Sequence, residues 1–169
     1  MKVTRFALLI LACGALMAAS CADPPPRPGR SVNSDLLGPI IDDLGLLGCT
    51  PLAADSASQA VGPDGGTISV GPHQLDIPAG ALDSSVVITA VMPSTNVNVI
   101  WFQPEGLTFG QPATLTMSYA NCGVLGFLLP KHIAYTSGEL DILALLPAVR
   151  RGQTLRSHIQ HFSGYAVAW

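Results

Sequence analysis

The sequence predicts an all-β domain built as an antiparallel β-sandwich, and two observations carry that prediction. Short runs rich in Val, Ile and Thr alternate apolar with polar residues. Turn residues punctuate them about every eight to twelve positions, which fits a sandwich and not βαβ units. Gly62-Pro63-Asp64-Gly65-Gly66 is a turn, and Thr67–Val70 follows it in strict alternation. Gly71-Pro72 turns the chain again before a second alternating run, His73–Ile77. Pro78–Leu82 reads as irregular, Ser85–Met92 as a well-buried strand, and Asn98–Phe102 as a short one. Ala113–Tyr119 is the clearest: Ala, Leu, Met and Tyr fall on one side, and Thr114, Thr116 and Ser118 on the other. Strands are predicted at His132–Thr136, Asp141–Leu146, Thr154–Phe162 and Tyr165–Trp169.

Ahead of this domain the chain has a different character. Lys2 and Arg5 precede an apolar run, Phe6–Ala19, shorter than the about 20 residues a membrane span needs. This is the layout of a secretory signal, closed by Ala18-Ala19-Ser20-Cys21. Small residues directly before a cysteine resemble the bacterial lipobox, in which that cysteine receives a diacylglycerol and becomes the new N-terminus. Ala18 stands where that pattern usually has Leu. The competing reading is ordinary cleavage after an Ala-x-Ala-like site, leaving Cys21 a bare thiol. A proline-rich stretch, Asp23-Pro24-Pro25-Pro26-Arg27-Pro28, reads as an extended spacer because proline fixes φ and cannot join a ladder. Leu36, Leu37, Ile40, Ile41, Leu44 and Leu47 fall at helical spacing, interrupted by Gly38-Pro39, and Ala53–Ala60 reads as linker. The expected organisation is a lipoprotein signal peptide over 1–20, a lipidated flexible tether over 21–60, and a β-sandwich over 61–169.

Charge excludes several functions. Of eight Lys and Arg, the leader removes Lys2 and Arg5, leaving six against eleven Asp and Glu, or −5. No basic stripe suits nucleic acid or an anionic membrane surface. Membrane attachment would rest on lipid at Cys21, with an unidentified envelope protein as a further partner and no small-molecule substrate.

With Cys13 in the leader and Cys21 as the lipid site, Cys49 and Cys122 are left. In an exported protein two such cysteines read as one disulfide, and the alternative is that they stay unpaired. No CxxC or HxxxH spacing points to a metal, and no glycine-rich loop enters a helix as a phosphate site requires, so no cofactor is expected.

Several blocks then resemble a known family. Gly65-Gly66-Thr67, Leu75-Asp76-Ile77-Pro78-Ala79-Gly80-Ala81-Leu82, Phe102-Gln103-Pro104-Glu105-Gly106-Leu107-Thr108-Phe109 and Pro112-Ala113-Thr114-Leu115 look like the ZU-five domain. That domain is named from zonula occludens proteins and uncoordinated netrin receptors, and also occurs in ankyrins. The resemblance covers roughly residues 61–119 and implies a β-sandwich adhesion or scaffolding module. The death domains and ankyrin repeats that accompany it in animals are missing here. Pro78, Gly80, Pro104 and Gly106 also have a plain architectural reading as strand ends and tight bends, with Glu105 capping backbone amides.

One triplet could carry chemistry. His161-Phe162-Ser163 resembles the self-cleavage site found near the end of some animal ZU-five proteins. Ser163 would attack the Phe162 carbonyl in an N→O acyl shift, His161 would take the hydroxyl proton, and water would hydrolyse the ester. Gly164 could permit unusual backbone there. The structural alternative makes His161–Tyr165 a bulge between strand halves, with the aromatic rings packed. Alternation from Leu155 and Ile159 places His161 on the core side and His158 on the other, so the two would not share a metal. A conventional hydrolase is disfavoured, since no nucleophile elbow accompanies Ser163, His161 and Asp141. The expected function is a lipid-anchored, non-enzymatic binding or structural module, and the alternative is self-cleavage between Phe162 and Ser163.

Overall fold

The structure, a computed structural model, describes residues 45–123 and 131–169. The leader, Cys21, the proline-rich spacer and the helical spacing from Leu36 to Leu44 lie outside the described residues. The strands run in order β1 (Asp55–Val61), β2 (Gly66–Val70), β3 (His73–Ile77), β4 (Val86–Met92), β5 (Val99–Gln103), β6 (Thr108–Ser118), β7 (His132–Thr136), β8 (Ile142–Leu146), β9 (Val149–Arg151), β10 (Thr154–His161) and β11 (Gly164–Ala168). They form two antiparallel sheets, β1-β4-β5-β11-β7-β8 and β2-β3-β6-β10-β9. The sheets pack face to face as the expected sandwich, and no helix occurs among the described residues.

Alternation explains the packing. Leu75, Ala113, Leu115, Met117, Leu155 and Ile159 point inward from one sheet and meet Ile88, Ala90, Ile100, Phe102, Ile133 and Val167 from the other. Removing these side chains from water is the main favourable term in folding. In the turn before β2, Gly65 has φ +76°, and a Cβ there would lie 2.7 Å from the Pro78 carbonyl carbon. That position needs glycine on both conformational and steric grounds.

Three expectations change. The linker expected at 53–60 is mostly strand: β1 pairs with β4 from Asp55↔Met92 to Val61↔Val86. Only Val61 of β1 is buried, so the ladder, and not a hydrophobic pattern of its own, makes this segment a strand. The domain therefore starts before residue 61, and Leu46, Leu47 and Cys49 already belong to its core. Leu46 and Leu47 are extended, not helical; Leu46 bridges Ala168, and the Leu47 N–H donates to the Val167 carbonyl at 2.9 Å. The strand expected to be well buried, β4, is buried on one face only, with Val87 65% exposed.

Cys49 and Cys122 face each other across an isolated antiparallel bridge and are joined by a disulfide. A reciprocal amide pair reinforces this junction. The Asn98 amide donates to the Asn121 side chain at 2.7 Å, and the Asn121 amide returns the bond at 2.9 Å. Their remaining N–H groups reach the Ser118 and Thr50 carbonyls, tying the entering chain to the end of β6.

Candidate functional site

The chain changes sheets at Phe162-Ser163: β10 lies in the five-stranded sheet, and β11 sits between β5 and β7 in the six-stranded one. The triplet is thus a corner between sheets, not a bulge between halves of one strand. A register shift between Ile159 and His161 prepares the bend. Phe162 fills the interior, stacked on Phe102 at 5.0 Å and edge-on to Phe109 at 5.0 Å. The Tyr165 hydroxyl donates to the His161 carbonyl at 2.6 Å, closing the corner from four residues downstream. Burial, and secondarily neighbouring Tyr135, pushes the Tyr165 phenol well above its ordinary range, so it remains a donor.

The peptide between Phe162 and Ser163 is held on both sides. The Gly106 N–H donates to the Phe162 carbonyl at 3.1 Å, and the Phe162 N–H donates to the Leu107 carbonyl at 2.8 Å. The Ser163 carbonyl accepts the Phe102 N–H at 3.1 Å. Ser163 Oγ is buried and donates to the Thr136 carbonyl at 3.4 Å. The His161 ring lies edge-on to Tyr135 at 4.9 Å and makes no hydrogen bond to Ser163. The structure therefore brings His161 and Ser163 to one corner without placing the base on the nucleophile.

Gly164 matters for contact, not for unusual backbone. Its φ is not positive, and a Cβ there would overlap the Trp101 ring and lie 2.7 Å from Thr136 Oγ1. His158 sits on the opposite, solvent side of β10, with Nδ1 3.4 Å from Thr114 Oγ1. No group of His, Cys, Asp or Glu suited to a metal occurs among the described residues. Asp141, the third member of the disfavoured hydrolase triad, bonds locally to Ser137. Glu105 is exposed and its carboxylate caps no amide among the described residues.

The two outer faces differ. On the five-stranded sheet, Asp76 accepts from Thr67 at 2.9 Å and Gln74 at 2.7 Å and approaches Arg156 at 3.9 Å, giving a wet, polar face. On the six-stranded sheet, Val99, Ala134, Ala166 and Ala168 form a second apolar cluster with Leu46, flanked by Trp101 and Ile142. Sequence reasoning missed this second layer because alternating Ala in β11 looks like filler.

One buried titratable group stands apart from both faces. His73 is 1% exposed, and its Nδ1 accepts the Ser118 N–H at 3.0 Å. Its Nε2 has no partner, and burial pushes its pKa from 6.5 down to about 4. The unfolded chain binds this proton near pH 6.5 and the folded one only near pH 4. Stability from neutral His73 is therefore fully present above pH 6.5 and is lost as pH falls towards 4, by up to about 3 kcal/mol. Urea unfolding at pH 7 and pH 4.5 should show the loss, and His73→Gln should flatten the slope between them.

Neither a protein-family model nor a curated protein matches this chain.

Proposed function

We propose that the protein is a lipid-anchored, non-enzymatic module of the bacterial cell envelope, exported and held on the periplasmic or extracellular side. The observation that carries this reading is the Cys49–Cys122 disulfide, a bond that persists in oxidising compartments and is rare in the cytosol. The lipobox-like Ala18-Ala19-Ser20-Cys21 supplies the anchor. Each buried CH₂ contributes about 0.8 kcal/mol and one acyl chain binds only marginally, so two or three chains on Cys21 make the attachment stable. The sandwich architecture and the ZU-five-like blocks support an adhesion or scaffolding role for the domain. Metabolic labelling with a fatty-acid probe should mark the natural chain and leave Cys21→Ala unlabelled. An unlabelled natural chain would overturn the anchor.

Self-cleavage is the second reading, and one contact favours it: the Gly106 N–H already donates to the carbonyl that Ser163 would attack, as an oxyanion donor must. Against it, the Ser163 hydroxyl is engaged by the Thr136 carbonyl, which cannot act as a base. The non-enzymatic reading therefore expects an intact Phe162–Ser163 bond. Mass spectrometry of the purified protein should find one uncut polypeptide after the leader, unchanged in Ser163→Ala. A nick that Ser163→Ala abolishes would reverse the assignment.

A further inference from the structure

The outer face of the six-stranded sheet is hollow along its middle. Across β5, β11, β7 and β8 its residues run Val99, Ala166, Ala134, Leu145, and the next row runs Trp101, Gly164, Thr136, Ile142. Tall side chains stand at both margins, with alanine, glycine and threonine between them. From β5 to β8 is three strand spacings, about 14 Å. That width admits a helix about 10–12 Å across with its side chains. Leu46 packs at the Ala168 end of this floor, and the Trp101 ring lies over Gly164 at the other. Ala134, Ala166 and Ala168 are each 0% exposed. Side chains this short, between taller neighbours, are fully buried only by a body lying on them.

The entering chain arrives at this floor. The Gly45 carbonyl accepts the Trp169 N–H at 2.9 Å, at the end of β11. A Cβ on Gly45 would nevertheless lie 3.4 Å from Ile142 Cδ1, two strands away on β8. The backbone at this point therefore rides over the outer face. Gly45 has φ +69°, the left-handed conformation in which a glycine commonly stands just past a helix end. Pro39 is suited to open a helical turn that Gly45 closes. Ile40, Ile41 and Leu44 would share one side of that turn, with Asp42 and Asp43 off it. We propose that residues 36–44 lie on the alanine floor, with Ile40, Ile41 and Leu44 turned down onto it. Attachment at Gly45 gives this segment an effective concentration of the order of millimolar at the floor, against which any free partner must compete. The apolar face is then closed by the chain's own entering segment, and the free tether ends near Asp35 instead of Gly45.

Hydrogen exchange and thiol labelling of the full chain test this. Amides in residues 40–44 should exchange at least about tenfold slower than those in residues 29–34 of the tether. In Ala166→Cys, a water-soluble maleimide should label residue 166, read by peptide mass, far more slowly than residue 69 in Ser69→Cys, on the exposed face of the other sheet. Adding Ile41→Asp should speed labelling of Ala166→Cys by about tenfold or more, while Asp42→Lys, off the apolar side, should not change it. An intact Cys49–Cys122 bond and an unchanged strand signal in circular dichroism show that each variant is folded, and hydrogen exchange on the natural chain needs no variant. Exchange in residues 40–44 as fast as in the tether, or Ala166→Cys labelled as readily as Ser69→Cys, would overturn the proposal. So would labelling indifferent to Ile41→Asp, or opened equally by Asp42→Lys.

Discussion

Replacing Cys49 and Cys122 together with Ser is expected to lower unfolding free energy by about 4 kcal/mol, the chain-entropy figure for a closed loop of this size. The bond spans 73 positions, so its loss frees most of the domain's first half in the unfolded ensemble. At a urea slope of about 2 kcal/mol per M, the midpoint should fall by about 2 M. Reduction of the natural protein should move the midpoint by a similar amount. An unchanged midpoint would mean that the Asn98–Asn121 amide pair already fixes the junction, and the disulfide would lose its stabilising role.

Phe162→Ala should cost about 3–5 kcal/mol, the usual range for deleting a buried aromatic ring. The ring is 1% exposed and touches both Phe102 and Phe109, so the cavity opens where the chain passes between sheets. Collapse around it is restrained because the backbone of Phe162 is bonded to Gly106 and Leu107. Urea unfolding measures the loss, and hydrogen exchange should show the Gly106 and Phe102 amides among the first to lose protection. A cost under about 1 kcal/mol would show that the corner repacks and does not anchor the fold.

What the sequence revealed depended on whether local pattern or distant pairing decides the structure. β6 was legible from Ala113 to Ser118 because a half-buried strand must alternate, and Ala113, Leu115 and Met117 do. β1 was not, since its small polar residues bury almost nothing and its conformation comes from β4, about thirty positions away along the chain. β9 escaped for the same reason, as all three of its residues are exposed and their order follows from β10. The candidate site divides in the same way. The residue types at 161–163 suggested an acyl shift, and the opposite placements of His158 and His161 followed from period two. The destination of the Ser163 hydroxyl did not. Its acceptor lies on β7, brought beside β11 only by the sheet order.

The placement of the disulfide has a mechanical consequence. Tension entering at residue 45 meets the Leu46 and Leu47 contacts with β11 and then Cys49 before it reaches β1, and at Cys49 it passes through sulfur to Cys122. That route delivers the load to the end of β6, flanked by β3 and β10. β1, a rim strand attached to β4 alone in its sheet, is bypassed and is not unzipped one bond at a time. The sandwich can thus be tugged from its N-terminal side with the β1 rim spared.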